Sequence, residues 1–152
     1  MATLVSIDPH KHKIVAAFWR DSTLCRLEIK RIKSIALSEV EKTFCDHQTA
    51  DTAVVEEMIW YPGTVRSQPN DLLQVARIGM RAASLLGHSI VTVPAQVWKG
   101  STPKKIMENR IFERLDEEEA ITVRSAIACY RACRLDIIDA VGIGLHHLWR
   151  LG

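Results

Sequence analysis

The sequence has 152 residues, of which 47% are hydrophobic and 25% are charged, and its formal net charge is +2. This composition excludes an intrinsically disordered chain and predicts one globular domain over residues 1–152. The net charge is too small to indicate a nucleic-acid-binding protein, so any basic surface must be local. No apolar stretch approaches the roughly 20 residues of a membrane span and no secretory signal is visible, so we expect no membrane partner and a cytoplasmic location.

The first half of the chain is predicted to be rich in strands. The first three strands are expected at residues 2–8, 13–20 and 23–30. Asp21 and Ser22 form the hairpin turn between the second and the third. Ser38 and Glu41 are spaced as a capping box, which predicts that a helix starts at Ser38. The next strand, over residues 52–60, has a continuous apolar run, which is typical of a strand buried on both faces.

The second half of the chain is predicted to be mostly helical. We expect a helix over residues 70–86, a strand over 89–93, a loop from 94 to 103, and helical segments over 102–115, 116–132 and 136–149. The segment 116–132 has the weakest pattern of these. The order β-β-β-α-β-α-β-α-α predicts an α/β fold, with a mixed sheet against which the helices pack.

The four cysteines give no sign of a metal site. They are Cys25, Cys45, Cys129 and Cys133. None forms a CxxC pair, and none has a zinc-type spacing with histidine. We therefore expect buried, reduced thiols that behave as small hydrophobic side chains.

Four carboxylates stand among apolar neighbours. They are Asp8, Glu56, Asp136 and Asp139, which we call the four-acid cluster. The first two lie in predicted strands, and the last two are three residues apart on a predicted helix and so share one face. An ionised carboxylate in apolar surroundings needs a partner, hydrogen bonds or a metal ion. A set of acids without cysteine or histidine favours Mg²⁺ or Mn²⁺, and two such ions about 4 Å apart can promote hydrolysis of a phosphodiester.

Other interpretations of each acid stay open at this point. Asp8 is compatible with a turn cap beside Pro9. Asp136 is compatible with the N-cap of the last helix, and Asp139 with a first-turn acid that interacts favourably with the helix dipole. The residues alone do not require that the four side chains converge.

Several motifs resemble those of RuvC-type Holliday junction resolvases. VSIDP at residues 5–9 resembles their first strand, VVEEMI at residues 54–59 their second acidic strand, and LDIIDAVGIGL at residues 135–145 their closing helix. The intervening run QVARIGMRAASLLGHSIVTVPAQVWKGSTPKKI, residues 74–106, is similar in the order of its features. The resemblance covers nearly the whole chain, and the small size suits a phage or mobile-element member of the family.

The resemblance implies an RNase H-like fold, in which three antiparallel strands are followed by parallel strands in a five-stranded mixed sheet flanked by helices. It implies a homodimer that cuts a four-way DNA junction, with two Mg²⁺ or Mn²⁺ ions per active site held by the four-acid cluster and with no organic cofactor. The match favours Glu56 over its neighbour Glu57 as the strand ligand. It implies catalytic and phosphate-contacting roles for Lys104, and a DNA-backbone contact for Lys99.

The sequence departs from the family pattern at two places. His10 stands where the family has glycine, and the segment from His10 to Lys13 instead resembles the opening of the DEDD-type insertion-sequence transposases. Ile59 stands where the family has an aromatic wedge, although Trp60 and Tyr61 follow directly. A broader branched-DNA nuclease, a transposase-like nuclease and a catalytically silent DNA-binding module therefore remain alternatives to a resolvase.

Further residues are candidates for DNA contact. Residues 97–114 carry five cations against two acids, and Lys105 is a candidate beside Lys99 and Lys104. Arg66 is placed in a loop after the glutamate strand, within possible reach of the junction. Trp60 and Tyr61 are candidates for stacking on unpaired bases, with a place in the core or dimer interface as the alternative. We expect His10 and His12 to be exposed turn residues, with phosphate contact or proton transfer as the alternative.

Overall fold

A mixed β-sheet forms the centre of the protein. The computed structural model describes residues 1–33, 37–59 and 68–151. Its strands are β1 (Thr3–Pro9), β2 (Lys13–Arg20), β3 (Thr23–Arg31), β4 (Ala50–Glu57) and β5 (Gly87–Pro94). The five-stranded sheet has the order β3-β2-β1-β4-β5, in which β1 pairs antiparallel with β2 and parallel with β4. This arrangement confirms the predicted fold class.

Helices cover both faces of the sheet. They are α1 (Leu37–Phe44), α2 (Pro69–Leu86), α3 (Ala95–Trp98), α4 (Lys104–Arg114), α5 (Glu117–Cys129) and α6 (Arg134–His147), with a 3-10 turn at Arg131–Cys133. Two differences from the prediction concern where helices occur. Ser38 lies inside α1 rather than capping it, and the expected loop over residues 94–103 contains α3. A four-residue helix is too short to show an apolar period, so periodicity could not predict it.

The hairpin between β2 and β3 has the predicted turn. Asp21 and Ser22 have positive φ angles of 47° and 69°. Two consecutive residues with positive φ are the mark of the tight turn that matches the twist of a two-stranded ribbon. A short polar pair such as Asp-Ser tolerates this backbone better than bulky residues do.

Side chains of β1 alternate between two apolar layers. Leu4 packs with the layer beneath α6, whereas Val5 and Ile7 pack with the layer beneath α1 and α2. Because successive side chains of a strand point to opposite faces, Asp8 shares the α6 face with Leu4. The same alternation in β4 places Val54, and therefore Glu56, on that face. The strands thus direct both acids toward α6.

Two tryptophans lie in close contact with α6 at its glycines. A Cβ added at Gly144 would lie 2.4 Å from the indole of Trp19, and one at Gly142 would lie 2.5 Å from the indole of Trp98. Both tryptophans are buried. Glycine is thus required at both positions for the helix to reach the sheet.

A buried ion pair fastens the last residues of the chain. The Glu119 carboxylate is 1% exposed and accepts hydrogen bonds from the Arg150 guanidinium at 2.6 and 2.7 Å. It also accepts from the main-chain N–H groups of Leu24 and Asp116. These bonds tie α5 and the segment after α6 to the start of β3. No pattern in the sequence pointed to this pairing.

The prediction of buried cysteines is wrong. All four lie in the described part of the chain; three are exposed and Cys133 is half-buried, and none forms a disulfide. Cys133 packs at the edge of the apolar layer beneath α6, whereas the other three lie at exposed positions, which residue type alone does not reveal. Within the described ranges, no helix is long and apolar enough to cross a membrane.

Candidate active site

The ends of two parallel strands bring Asp8 and Glu56 side by side. Ile7 pairs with Val55 in the register of β1 and β4, so the residue after each, Asp8 and Glu56, lies at the same level and on the same face. Asp8 is 2% exposed, and the Glu56 side chain is 11% exposed. Its neighbour Glu57 is exposed. Glu56 therefore lies beside Asp8, whereas Glu57 is on the opposite face of the strand.

The other two acids come from the first two turns of α6. Asp136 and Asp139 are one turn apart, and their side chains are 18% and 31% exposed. Asp136 does not cap the helix, because the N-cap position belongs to Cys133 and no side-chain cap bond forms there. It is instead paired with the Lys13 ammonium, which raises the pKa of Lys13. The helix thus presents both acids toward the strand ends.

His10 bridges two members of the four-acid cluster. Its Nε2 atom lies 2.7 Å from Asp8 Oδ2 and 3.2 Å from Asp136 Oδ1. Burial lowers the pKa of His10, but the hydrogen bond and charge of Asp8 and the charge of Asp136 outweigh burial, so its pKa is raised. His10 is thus a half-exposed turn residue that also contacts two acids, whereas His12 is exposed as expected. His10 lies one residue beyond β1, where the chain turns back toward Asp8.

Lys99 and Trp98 hold the other two acids. The Lys99 ammonium lies 3.1 Å from Asp139 Oδ2 and 3.5 Å from Glu56 Oε1. The Trp98 indole N–H donates a 3.0 Å hydrogen bond to Glu56 Oε1. The Trp98 side chain therefore contacts the four-acid cluster as well as packing against Gly142. It sits in α3, the helix that the sequence did not predict.

Burial gives Asp8 an unusual proton affinity. Desolvation raises the pKa of Asp8 from its ordinary value of 3.8 to about 7, in spite of the hydrogen bond and charge of His10, which lower it. The charges of Glu56 and Asp139 raise it further. Asp8 therefore lies within electrostatic range of three other site residues. Without a cation, this concentration of negative charge favours a protonated carboxyl.

The donor set fits a hard divalent cation. Ligand atoms of Asp8, His10 and Asp136 all lie within 4.8 Å of one another. Two carboxylate oxygens and one imidazole nitrogen suit Mn²⁺ and Mg²⁺, and the nitrogen favours Mn²⁺ of the two. Burial disfavours the ionised form of Asp8 in the absence of a cation. A bound divalent ion would offset this desolvation penalty. Lys99 joins Glu56 and Asp139, the two members of the four-acid cluster that are not in this group.

A cavity of about 250 Å³ opens beside Asp139. Lys99, Lys104 and Leu135 contribute to its lining. Lys104 is the first residue of α4 and is exposed, as is Lys105 next to it. Of the predicted DNA contacts, Lys99 lies inside the four-acid cluster and Lys104 lies at the edge of its cavity. Arg66, Trp60 and Tyr61 lie outside the described residues, whereas Ile59 is described and exposed.

A second cavity, of about 460 Å³, lies at the opposite end of the sheet. Phe18, Arg20 and His47 are among its lining residues. It contains no member of the four-acid cluster. It is therefore not the candidate active site.

The sheet order and the helices on both faces define an RNase H-like α/β fold. The structure of Thermus thermophilus RuvC is similar to this chain, with a TM-score of 0.60 and 13% sequence identity over 97% of this chain and 93% of that chain. The structure of T. thermophilus RuvC in complex with a Holliday junction substrate is also similar, with a TM-score of 0.59 and 12% identity over 98% of this chain and 94% of that chain.

The fold of this chain is therefore RuvC-like over nearly its whole length. No protein-family model matches the sequence, and no curated protein matches it either. The similarity is thus one of three-dimensional structure, at an identity too low for a sequence comparison to detect.

Proposed function

We propose that this protein is a crossover junction endodeoxyribonuclease, which resolves Holliday junctions by symmetric hydrolytic nicking in DNA recombination and repair. The observation that carries this proposal is the convergence of the four-acid cluster at the ends of β1 and β4 and the start of α6. Sequence motifs alone identify these acids as candidates, and the acids come from three separate elements of a RuvC-like fold. The T. thermophilus neighbour is a protein described in complex with a Holliday junction substrate.

The four-acid cluster would hold two Mg²⁺ or Mn²⁺ ions. Ligand atoms of Asp8, His10 and Asp136 lie close enough together to share one ion. Glu56 and Asp139, which both contact Lys99, would contribute to the second ion together with Asp8. Divalent ions in such a site activate a water molecule and stabilise the leaving oxygen of a phosphodiester. Loading the site requires Asp8 to lose its proton, since a carboxylate binds metal only when it is ionised.

Neighbouring side chains keep the acids in place. Trp98 orients Glu56 by its hydrogen bond, and Lys13 balances the charge of Asp136. Lys99 occupies the space between Glu56 and Asp139, from which a bound metal ion would repel its ammonium group and a substrate phosphate would attract it. Lys104, at the edge of the adjoining cavity, would bind the phosphate of the cleaved strand, and Lys105 would contact the neighbouring backbone.

Symmetric cleavage of a four-way junction requires two active sites, and we propose that a homodimer supplies them. Strand β5 is an edge of the sheet, and its apolar residues Ile90 and Val91 are exposed. Leu73 and Met80 on α2 are exposed as well. An open edge strand with apolar side chains favours pairing with a second copy. Sedimentation of the purified protein tests directly whether it is a dimer in solution.

One observation favours a related function. His10 contacts both Asp8 and Asp136, and it belongs to the segment that resembles DEDD-type transposases rather than resolvases. A transposase-like or broader branched-DNA nuclease would use the same metal site on other substrates. A silent DNA-binding module would have no use for a buried acid that ionises only near neutral pH.

Cleavage of a synthetic mobile four-way DNA junction tests the proposal. Wild type and Asp139→Asn are compared in Mg²⁺, Mn²⁺ and EDTA, with linear duplex and flap DNA as control substrates. We expect paired symmetric nicks that require metal and disappear in the variant. Equal cutting of flap DNA would indicate a broader branched-DNA nuclease instead of a resolvase. Binding without cutting under any metal would support the silent DNA-binding module.

A further inference from the structure

We propose that the cleft between α4 and α5 is a second phosphate-binding surface, which holds the DNA backbone where it leaves the active site. This inference rests on the proposed function and adds to it a set of contacts between α5 and the start of α6 that no motif indicated. The cleft encloses about 750 Å³ and is lined by three arginines, Arg124, Arg131 and Arg134. Glu108 and Phe112 of α4 form the facing wall.

The cleft has an excess of positive charge. Glu108 is the acid among its lining residues, and it is paired with Arg134. Arg124 and Arg131 have no carboxylate within 4.0 Å in the described part of the chain. The lining therefore has three arginines against one glutamate, a balance of +2. All three arginines are exposed, so their guanidinium groups are accessible to a large anion.

One arginine is already held in a fixed orientation. The guanidinium carbon of Arg124 lies 5.3 Å from the centre of the Phe112 ring. Such a contact restrains the flexible side chain at little cost in solvation. Its planar fork of N–H donors matches the geometry of phosphate oxygens, which a lysine in the same place would not. The cleft is thus suited to phosphodiester oxygens rather than to a general acidic surface.

The cleft adjoins the cavity beside the active site. Leu135 lines that cavity and the preceding residue, Arg134, lines the cleft, so both use the start of α6. On α4, Lys104 lines the cavity and Glu108 lines the cleft. These two residues are one helical turn apart, about 6 Å along the axis. A strand bound at Lys104 therefore needs only about two further nucleotides to reach the cleft, at about 3.4 Å per nucleotide.

The test compares the salt dependence of DNA binding. The variant Arg124→Gln/Arg131→Gln is measured beside Arg20→Gln/Lys42→Gln, which removes the same charge at exposed positions on β2 and α1. The probe is a fluorescein-labelled four-way junction in EDTA, so that binding is observed without cleavage, and thermal melting confirms that both variants fold. Each phosphate contact adds about 0.7 to 0.9 to the slope of log affinity against log salt.

We expect the slope of the cleft variant to be smaller than that of the control pair by about 1.4 to 1.8. Between about 50 and 200 mM salt, wild type would then lose about tenfold more affinity than the cleft variant. Equal slopes for the two variants would overturn the phosphate-binding cleft and leave the proposed nuclease intact. Failure of wild type to bind the junction or a linear duplex would overturn both.

Discussion

The Ser6 hydroxyl donates a 2.7 Å hydrogen bond to the main-chain carbonyl of Ala140. Ser6 lies two residues before Asp8 on β1, and Ala140 directly follows Asp139 on α6. The same hydroxyl accepts a 2.9 Å bond from the buried indole N–H of Trp19. One buried serine thus sets the distance between the strand and the helix that carry three of the four acids.

Replacement of Ser6 by alanine is expected to destabilise the protein. Ser6→Ala leaves the Trp19 indole N–H and the Ala140 carbonyl without their partner in the core, at a cost of about 1–3 kcal/mol. Urea unfolding measures the loss. Ser84→Ala is the control, because the Ser84 hydroxyl is exposed and bonds within its own helix. Equal destabilisation by the two substitutions would contradict the role of Ser6.

Metal-free protein is expected to gain stability from Asp8→Asn. The pKa of Asp8 is raised from its ordinary value of 3.8 to about 7 in the folded state. Between pH 3.8 and about pH 7, the folded protein therefore binds more protons than the unfolded chain does. The free energy of unfolding therefore falls by about 4 kcal/mol in total as the pH rises through that range. Asparagine removes this loss.

Thermal melting in EDTA at pH 8 and pH 5 checks this prediction. Asp8→Asn should melt above wild type at pH 8, and the difference should narrow at pH 5. Mg²⁺ or Mn²⁺ should stabilise wild type and leave the variant nearly unchanged. A variant that melts below wild type at pH 8 would show that the ionised Asp8 carboxylate does not destabilise the metal-free protein.

His10 is expected to set the preference among metals. Because an imidazole nitrogen suits Mn²⁺ better than Mg²⁺, His10→Ala should weaken Mn²⁺ binding more than Mg²⁺ binding. Titration calorimetry with each metal measures the two affinities, and His12→Ala is the control at an exposed position. An equal loss for both metals would mean that His10 only positions Asp8 and Asp136.

The buried Glu119 is expected to stabilise the fold above acidic pH. Its hydrogen bonds from Arg150, Leu24 and Asp116 lower its pKa in spite of desolvation, which raises it. A lowered pKa gives stability that is present above the unfolded value, near 4.5, and is lost as the pH falls below it. At pH 7, Glu119→Gln should cost about 3–5 kcal/mol in urea unfolding.

Two comparisons separate this effect from a general loss of charge. Glu118→Gln, at the exposed neighbouring position, should change the free energy of unfolding by less than about 0.5 kcal/mol. The cost of Glu119→Gln should shrink at pH 3.5, where the unfolded carboxylate is protonated. A cost that stays constant with pH would indicate a packing defect instead.

The sequence predicted those features that depend on local patterns. The continuous apolar run in β4 identified that strand, and the apolar neighbours of the acids marked them as unusual. The contacts made by His10, Trp98 and Glu119 were not predicted. Each depends on two segments that are distant in the chain or on the path of a tight turn, and no periodicity records such an approach. The exposed cysteines were missed for a similar reason, because residue type does not fix which face a side chain takes.

Cleavage of the four-way junction by two neighbouring variants tests the central claim most directly. Glu56→Gln removes a proposed metal ligand, whereas Glu57→Gln changes an exposed acid on the opposite face of the same strand. The account predicts that Glu56→Gln lowers the Mg²⁺-dependent cleavage rate by about 10²–10³-fold and that Glu57→Gln cleaves like wild type. Comparable activity in both variants, or a loss confined to Glu57→Gln, would contradict it.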